Sequence, residues 1–200
     1  TYLALKQLGS TYMQFIPIVE RHAQTQSIAD FSVPSEGYGQ FLVDVFHEWY
    51  AHDVGKIYVS QFDNLLGQWL GYPSTTCVHQ PTCGQSLVAE ANGDVYACDH
   101  FVYPEYKVGN LTQQSLTEIV LSSKQQQFGL EKSQKLTALC RRCEFRKLCY
   151  GGCPKHRFIS LENEPNPHNY LCASYRYFFE QTAPYMQAMA RQIRLHPSAA

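Results

Sequence analysis

Residues Cys140–Pro154 read Cys-Arg-Arg-Cys-Glu-Phe-Arg-Lys-Leu-Cys-Tyr-Gly-Gly-Cys-Pro, a C-x2-C-x5-C-x3-C run closed by proline. Thiolates in fours are what iron–sulfur clusters and tetrahedral zinc require, so this stretch points to metal chemistry before any other. The chain holds 8 cysteines in 200 residues. The remaining ones are Cys77, Cys83, Cys98 and Cys172, so every cysteine lies beyond residue 76.

The ending decides how the thiols divide. In two-cluster ferredoxins the C-x3-C-P cysteine ligates the neighbouring cluster and not the one its own run encloses. If that rule holds, Cys140, Cys143 and Cys149 serve one four-iron cluster with Cys172, while Cys153 crosses to join Cys77, Cys83 and Cys98. Two sites are then filled with no thiol left over. Clusters ligated wholly by thiolate leave no open iron for substrate, which suits electron transfer or structural support.

Zinc and disulfides are the alternatives. Zinc ribbons also use C-x2-C knuckles, but the x5 and x14 gaps and a crossing ligand are foreign to them. Disulfides leave roughly a hundred connectivities. They belong to small exported domains, whereas this chain is not small and shows no export signal. The Asn110-Leu111-Thr112 sequon is then a chance match, and the expected location is cytoplasmic.

A hydrophobic fraction of 44% suits a chain that buries a core, and the formal charge of −1 argues for neither nucleic acid nor an anionic membrane. Arg141, Arg142, Arg146 and Lys147 form a local patch, read as a solvated face beside anionic ligands. No apolar run approaches the ~20 residues that span a bilayer. The chain starts at Thr1 in mid-pattern and reads as part of a longer protein.

Residues 1–72 carry no cysteine and look like α/β material. Tyr12–Val19 reads as a buried strand, Tyr38–His52 as a helix stopped near Gly55, Ile57–Val59 as a strand and Phe62–Leu70 as a helix ending at Gly71. Residues 73–172 differ in kind. Leu87–Ala91 and Asp94–Cys98 alternate around Asn92-Gly93, a strong hairpin signal. Leu111–Lys132 predicts one or two helices with Ser115 or Ser122 as caps. The cysteine run itself predicts little regular structure. Residues 173–200 form a helical tail, kinked or restarted at Pro184. The fold class expected is α+β.

Longer words around the cysteines carry a family likeness. Cys83-x9-Gly93-x4-Cys98, the C-x2-C-x5-C-x3-C run and the final Cys172 resemble the SPASM domain of radical S-adenosylmethionine enzymes. Tyr96-Ala97-Cys98-Asp99-His100-Phe101-Val102-Tyr103-Pro104-Glu105-Tyr106, Gly109-Asn110-Leu111 and Tyr150-Gly151-Gly152-Cys153-Pro154-Lys155-His156-Arg157-Phe158 narrow this to the anaerobic sulfatase-maturating enzymes. The likeness is strong over 73 to about 180. Over 1–72 it is weaker, resting on Phe15-Ile16-Pro17 and implying the C-terminal end of a partial (β/α) radical S-adenosylmethionine barrel.

The resemblance implies oxidation of a cysteine or serine in a sulfatase polypeptide to Cα-formylglycine. In that family a 5′-deoxyadenosyl radical takes a hydrogen from the β-carbon, a base takes the thiol or hydroxyl proton, and an electron leaves through two auxiliary 4Fe-4S clusters. The base is the aspartate after the cysteine closing the hairpin motif, here Asp99. Strand alternation places Asp99 on the face opposite Cys98. An electron donor such as ferredoxin or flavodoxin is implied as partner. The radical-generating cluster needs a C-x3-C-x2-C run, and no cysteine precedes Cys77, so that third cluster and S-adenosylmethionine are expected only in a full-length parent.

Neighbouring readings are a maturase for another peptide modification, and a non-catalytic module stabilised by zinc or disulfides. Among other residues, His79 and His100 lie beside ligand cysteines and suit hydrogen bonding once eight thiols fill both sites. His47 and His52 have the wrong spacing for a one-face metal pair. Gly37-x-Gly39 is too short for a phosphate loop. Glu20, Arg21 and His22 follow the first strand, where barrel active sites gather.

Overall fold

Between Tyr12 and Val19 burial alternates: Met13, Phe15 and Val19 are buried, while Tyr12, Ile16 and Ile18 are exposed. That is the period of an extended segment with one dry face. In the computed structural model, which describes residues 1–84 and 86–195, only Tyr12–Met13 (β1) pairs as strand. The expected strand over 12–19 is thus cut short, and the reason is local. The Gln61 side chain meets both backbone groups of Phe15, accepting from its N–H and donating to its carbonyl, and Tyr38 Oη donates to the same carbonyl at 2.7 Å. Pro17 then has no N–H to offer a neighbour.

A short helix α1 (Tyr2–Gln7) precedes β1, and α2 (Gly37–His52) follows it. Strand β2 (Tyr58–Val59) lies parallel to β1, Tyr12 opposite Tyr58, and leads into α3 (Ser60–Leu70). The apolar stripe of α2 (Leu42, Val45, Phe46, Trp49) is buried as its spacing predicts. Phe46 sits 5.3 Å from Phe62 and 6.5 Å from Phe178, edge-on to both, and Trp49 Nε1 donates to Ile57 O at 2.7 Å.

Phe178 belongs to the C-terminal helix, Cys172–Leu195. This helix and residues 1–75 form one compact unit. The segment 173–200 is therefore not a separate tail, although residues 196–200 lie outside the described residues. The helix does not restart at Pro184, which stands inside it. An interior proline costs about 3 kcal/mol. Phe178 and Phe179 before it and Met186 and Met189 after it are buried. At roughly 1.5–3 kcal/mol each they outweigh that cost. Ser174 Oγ accepts from Gly39 N at 2.8 Å, and a Cβ at Gly39 would stand 2.6 Å from Ser174 O, so only glycine lets α2 approach there.

The second unit is residues 76–169. Its sheet is β3 (Val88–Ala89), β4 (Asp94–Tyr96) and β5 (Lys107–Asn110), antiparallel in that order. Val95, Ala97 and Val108 pack with Ile119 of α4 (Leu116–Val120) into a small core. Ser115 caps α4 in a capping box with Glu118, and Ser122 caps α5 (Ser123–Gln134), so both expected caps are used and the helices are two. The cysteine run is more regular than its sequence suggests. Thr137 Oγ1 caps α6 (Ala138–Arg142), and α7 (Arg146–Cys149) turns on the Phe145 carbonyl, which accepts from Leu148 N and Cys149 N. A last pair, β6 (Arg157–Ile159) with β7 (His168–Asn169), is antiparallel. The fold is a mixed one of helix and strand. No described helix is long and apolar enough to cross a membrane.

Candidate metal centre

Helix α5 buries a stripe that is not apolar: Gln125, Gly129 and Lys132. These positions stand at i, i+4 and i+7, on one face. Each holds a segment that carries a cysteine. Gln125 Nε2 donates to Gly84 O at 2.7 Å and Ala97 O at 3.2 Å, fixing the chain beside Cys83 and Cys98. Gly129 O accepts from Cys83 N at 3.1 Å, and a Cβ at Gly129 would stand 2.7 Å from Cys83 O. Lys132 Nζ donates to Cys77 O at 2.5 Å and Val78 O at 3.0 Å. One helix thus sets three of the four thiols assigned together with Cys153.

All eight cysteines are free thiols. Burial pushes the Cys98 thiol up to about 12 and that of Cys153 up to about 11, and raises Cys83 as well. The secondary causes tie the same residues together. Cys83 and Cys77 both add to the rise at Cys153, Cys77 adds to that at Cys83, and Cys153 adds to that at Cys98.

Against these thiols stand two cations. Lys132 is only 1% exposed, and burial lowers its pKa while Cys83, Cys153 and Cys77 pull it back up. Arg157 is half-buried and behaves alike, drawn down by burial and up by Cys140, Cys83, Cys149 and Cys153. A buried cation without an anion costs several kcal/mol. Thiolates bound to metal would be that anion, so the donor set fits an iron–sulfur cluster.

Asp99 is exposed, and it is not where alternation puts it. Strand β4 ends at Tyr96, so Asp99 lies in a turn, and its carboxylate bends back onto its neighbour instead of facing away. Cys98 Sγ donates to Asp99 Oδ1 at 3.1 Å and His100 N donates to the same oxygen at 3.0 Å. The hydrogen bond from Cys98 is the main reason its pKa falls below the usual carboxylate range, so Asp99 is ionised at neutral pH. The ring of Phe101 packs 4.7 Å from Tyr106 and 5.4 Å from Phe128 on α5, anchoring this turn.

Two histidines face thiols. His100 Nδ1 lies 3.6 Å from Cys153 Sγ, the hydrogen-bonding role expected of it. His168 Nδ1 lies 3.7 Å from Cys140 Sγ and 3.0 Å from Thr137 Oγ1, a contact that no spacing in the sequence announces. His79 is buried, which lowers its pKa to about 4 and keeps it neutral. Cys172 opens the C-terminal helix of the first unit. In that unit His52 pairs with Glu48 at 4.0 Å, and Glu20, Arg21 and His22 lie in an irregular loop bridged from Arg21 to Ile28.

A model of the SPASM domain, an iron–sulfur cluster-binding domain, matches residues 77–144. Over those residues the fold and site are similar to an iron–sulfur cluster-binding domain. Relatives narrow it. The chain is 42% identical to a serine-type anaerobic sulfatase-maturating enzyme of Bacteroides thetaiotaomicron, over 96% of this chain and 50% of that protein. It is 30% identical to a cysteine-type one of Clostridium perfringens, over 96% and 52%. Solved structures of anSMEcpe, one with bound AdoMet and one with AdoMet and the Kp18Cys peptide, superpose with a TM-score of 0.79 at 30% identity. They are covered to 50% and 53%, and cover 96% of this chain. The chain is thus similar along nearly its whole length to the anaerobic sulfatase-maturating enzymes, and it spans about half the length of the curated relatives it matches.

Proposed function

We propose that this chain is the auxiliary-cluster part of an enzyme that oxidises a cysteine or serine of a sulfatase polypeptide to Cα-formylglycine. The observation that carries this is the second unit, where free cysteine thiols act on the charges of the buried Lys132 and the half-buried Arg157. Cys77, Cys83, Cys98 and Cys153 hold one 4Fe-4S cluster. Cys140, Cys143 and Cys149, with Cys172 as the sequence pattern assigns it, hold the other. Bound there, such clusters supply one-electron acceptor sites. Cleavage of S-adenosylmethionine and the third cluster that it needs belong to the full-length parent, which draws on a ferredoxin or flavodoxin in the cytoplasm.

Asp99 is the base. Oxidising a thiol or alcohol carbon to the aldehyde level requires loss of the heteroatom's proton, and an exposed, ionised carboxylate can accept it. Were Cys98 to ligate iron it would no longer donate to Asp99, and the His100 N–H would remain to orient the carboxylate. Cys98, which would hold the electron-accepting group, is the neighbour of Asp99.

The test is anaerobic turnover of a sulfatase peptide by the full-length protein, read by mass spectrometry. Wild type is expected to form the aldehyde. Asp99→Asn is expected to retain its iron and lose most of the product. An unmodified peptide with cluster-replete wild type would contradict the function, and wild-type yield from the variant would contradict the base.

A further inference from the structure

The guanidinium of Arg157 is clamped by backbone carbonyls. Nη2 donates to Tyr150 O at 2.8 Å and Gly152 O at 3.3 Å, Nε to Gly151 O at 3.1 Å, and Nη1 to Lys132 O at 2.7 Å. Tyr150, Gly151 and Gly152 are the whole link between Cys149 and Cys153. Those two cysteines are assigned to different clusters, so the clamp holds a cation against the one short segment that both share. The link takes an unusual path, with φ of 49°, 72° and 61° in succession, which turns its three carbonyls towards the arginine. Asn169 Nδ2 braces the same segment, donating to Gly151 O at 3.0 Å and Cys153 O at 3.2 Å. Among the described residues no carboxylate pairs with Arg157. The fourth carbonyl comes from Lys132, whose ammonium in turn holds the carbonyl of Cys77.

We propose that Arg157 is a positioning residue that acts as the shared counter-ion of the two clusters, raising the reduction potentials of both. The role rests on the cluster-bearing function proposed above. Each ligated cluster is an anion that gains one more negative charge on reduction. A fixed positive charge beside it favours the reduced form, and more strongly in a low-dielectric interior than in water. Arg157 cannot shed its proton at working pH, so the bias is permanent. The thiols bearing on its charge come from both sets, Cys140 and Cys149 from one and Cys83 and Cys153 from the other.

Redox titration of the reconstituted chain, followed by electron paramagnetic resonance, tests this. In Arg157→Gln both cluster signals are expected to shift to lower potential by a tenfold or larger change in the oxidised-to-reduced ratio, about 59 mV for a one-electron couple. Arg157→Lys keeps the charge and is expected to stay close to wild type. If Arg157→Gln takes up too little iron to titrate, Arg157→Lys decides: potentials near wild type support the role, and a tenfold fall despite the retained charge overturns it. A wild type that binds iron, with Arg157→Gln leaving both potentials in place or moving only one, overturns the shared role and leaves the cluster function standing. A wild type that binds no iron overturns both.

Discussion

A carboxylate that is to take a proton must be ionised, reachable and within a hydrogen bond of its donor. Asp99 meets the first two conditions, the first with the His100 N–H donating to Oδ1 and the second through its exposure. Loss of a general base costs about 10²–10⁴-fold. Asp99→Asn keeps the size and the acceptor oxygen for His100 N, so a fall of that order in aldehyde formation, with unchanged iron, is the outcome expected of a lost base and not of a broken turn. The identity of Asp99 was legible in the word around Cys98, but its orientation was not. Alternation assumes strand up to residue 98, whereas the pairing ends at Tyr96. Lys132, Arg157 and His168 were not legible as parts of the site. Their partners are carbonyls and thiols distant in sequence, and side-chain spacing carries no record of them.

Among the elements, α5 does most to build the site. Its apolar content is low, and its buried face is Gln125, Gly129 and Lys132. The helix and its Ser122 cap were readable, but its buried polar face was not. Ser115 and Ser122 were legible because capping needs a short hydroxyl at one place, which is local chemistry. The helices α6 and α7 were missed because each is too short to show a period. Gly129 gives the element its sharpest test. An alanine methyl there meets the Cys83 carbonyl oxygen at 2.7 Å, an atom of backbone that cannot swing aside. Gly129→Ala is expected to destabilise the second unit by about 1–3 kcal/mol, as overpacking does. It is also expected to lower iron uptake through displacement of Cys83. Chemical denaturation paired with iron analysis would measure both, and a variant matching wild type in each would show that α5 does not set that thiol.

At the scale of the whole molecule, two compact units answer to different physics. The first has an aromatic core, and its parallel pair and amphipathic helices follow from patterns visible along the chain. A partly buried ion pair in it was not visible: Asp53 accepts from Tyr2 Oη and from Lys6 Nζ, each at 2.7 Å. Burial works to raise the Asp53 pKa, but the donors Lys6 and Tyr2 prevail and lower it. A depressed carboxylate contributes stability that is full above its unfolded pKa, about 4, and is lost as pH falls through the lower folded value. Thermal unfolding is thus expected to show a steeper loss of stability below about pH 4 in wild type than in Asp53→Asn. Equal slopes would remove Asp53 from the acid response.

The second unit has a small apolar core, and beside it stand partly buried cysteine thiols, the buried Lys132 and the half-buried Arg157. Its likeness to an iron–sulfur cluster-binding domain was readable from cysteine spacing because cluster ligation leaves a pattern in sequence. The counter-charges left none. The account stands or falls on what those thiols hold. Anaerobic reconstitution followed by iron, sulfide and zinc analysis measures it directly. About eight irons with matching sulfide per chain, and negligible zinc, is the predicted result. Two tightly held zinc ions without sulfide, or eight cysteines paired as disulfides, would contradict it.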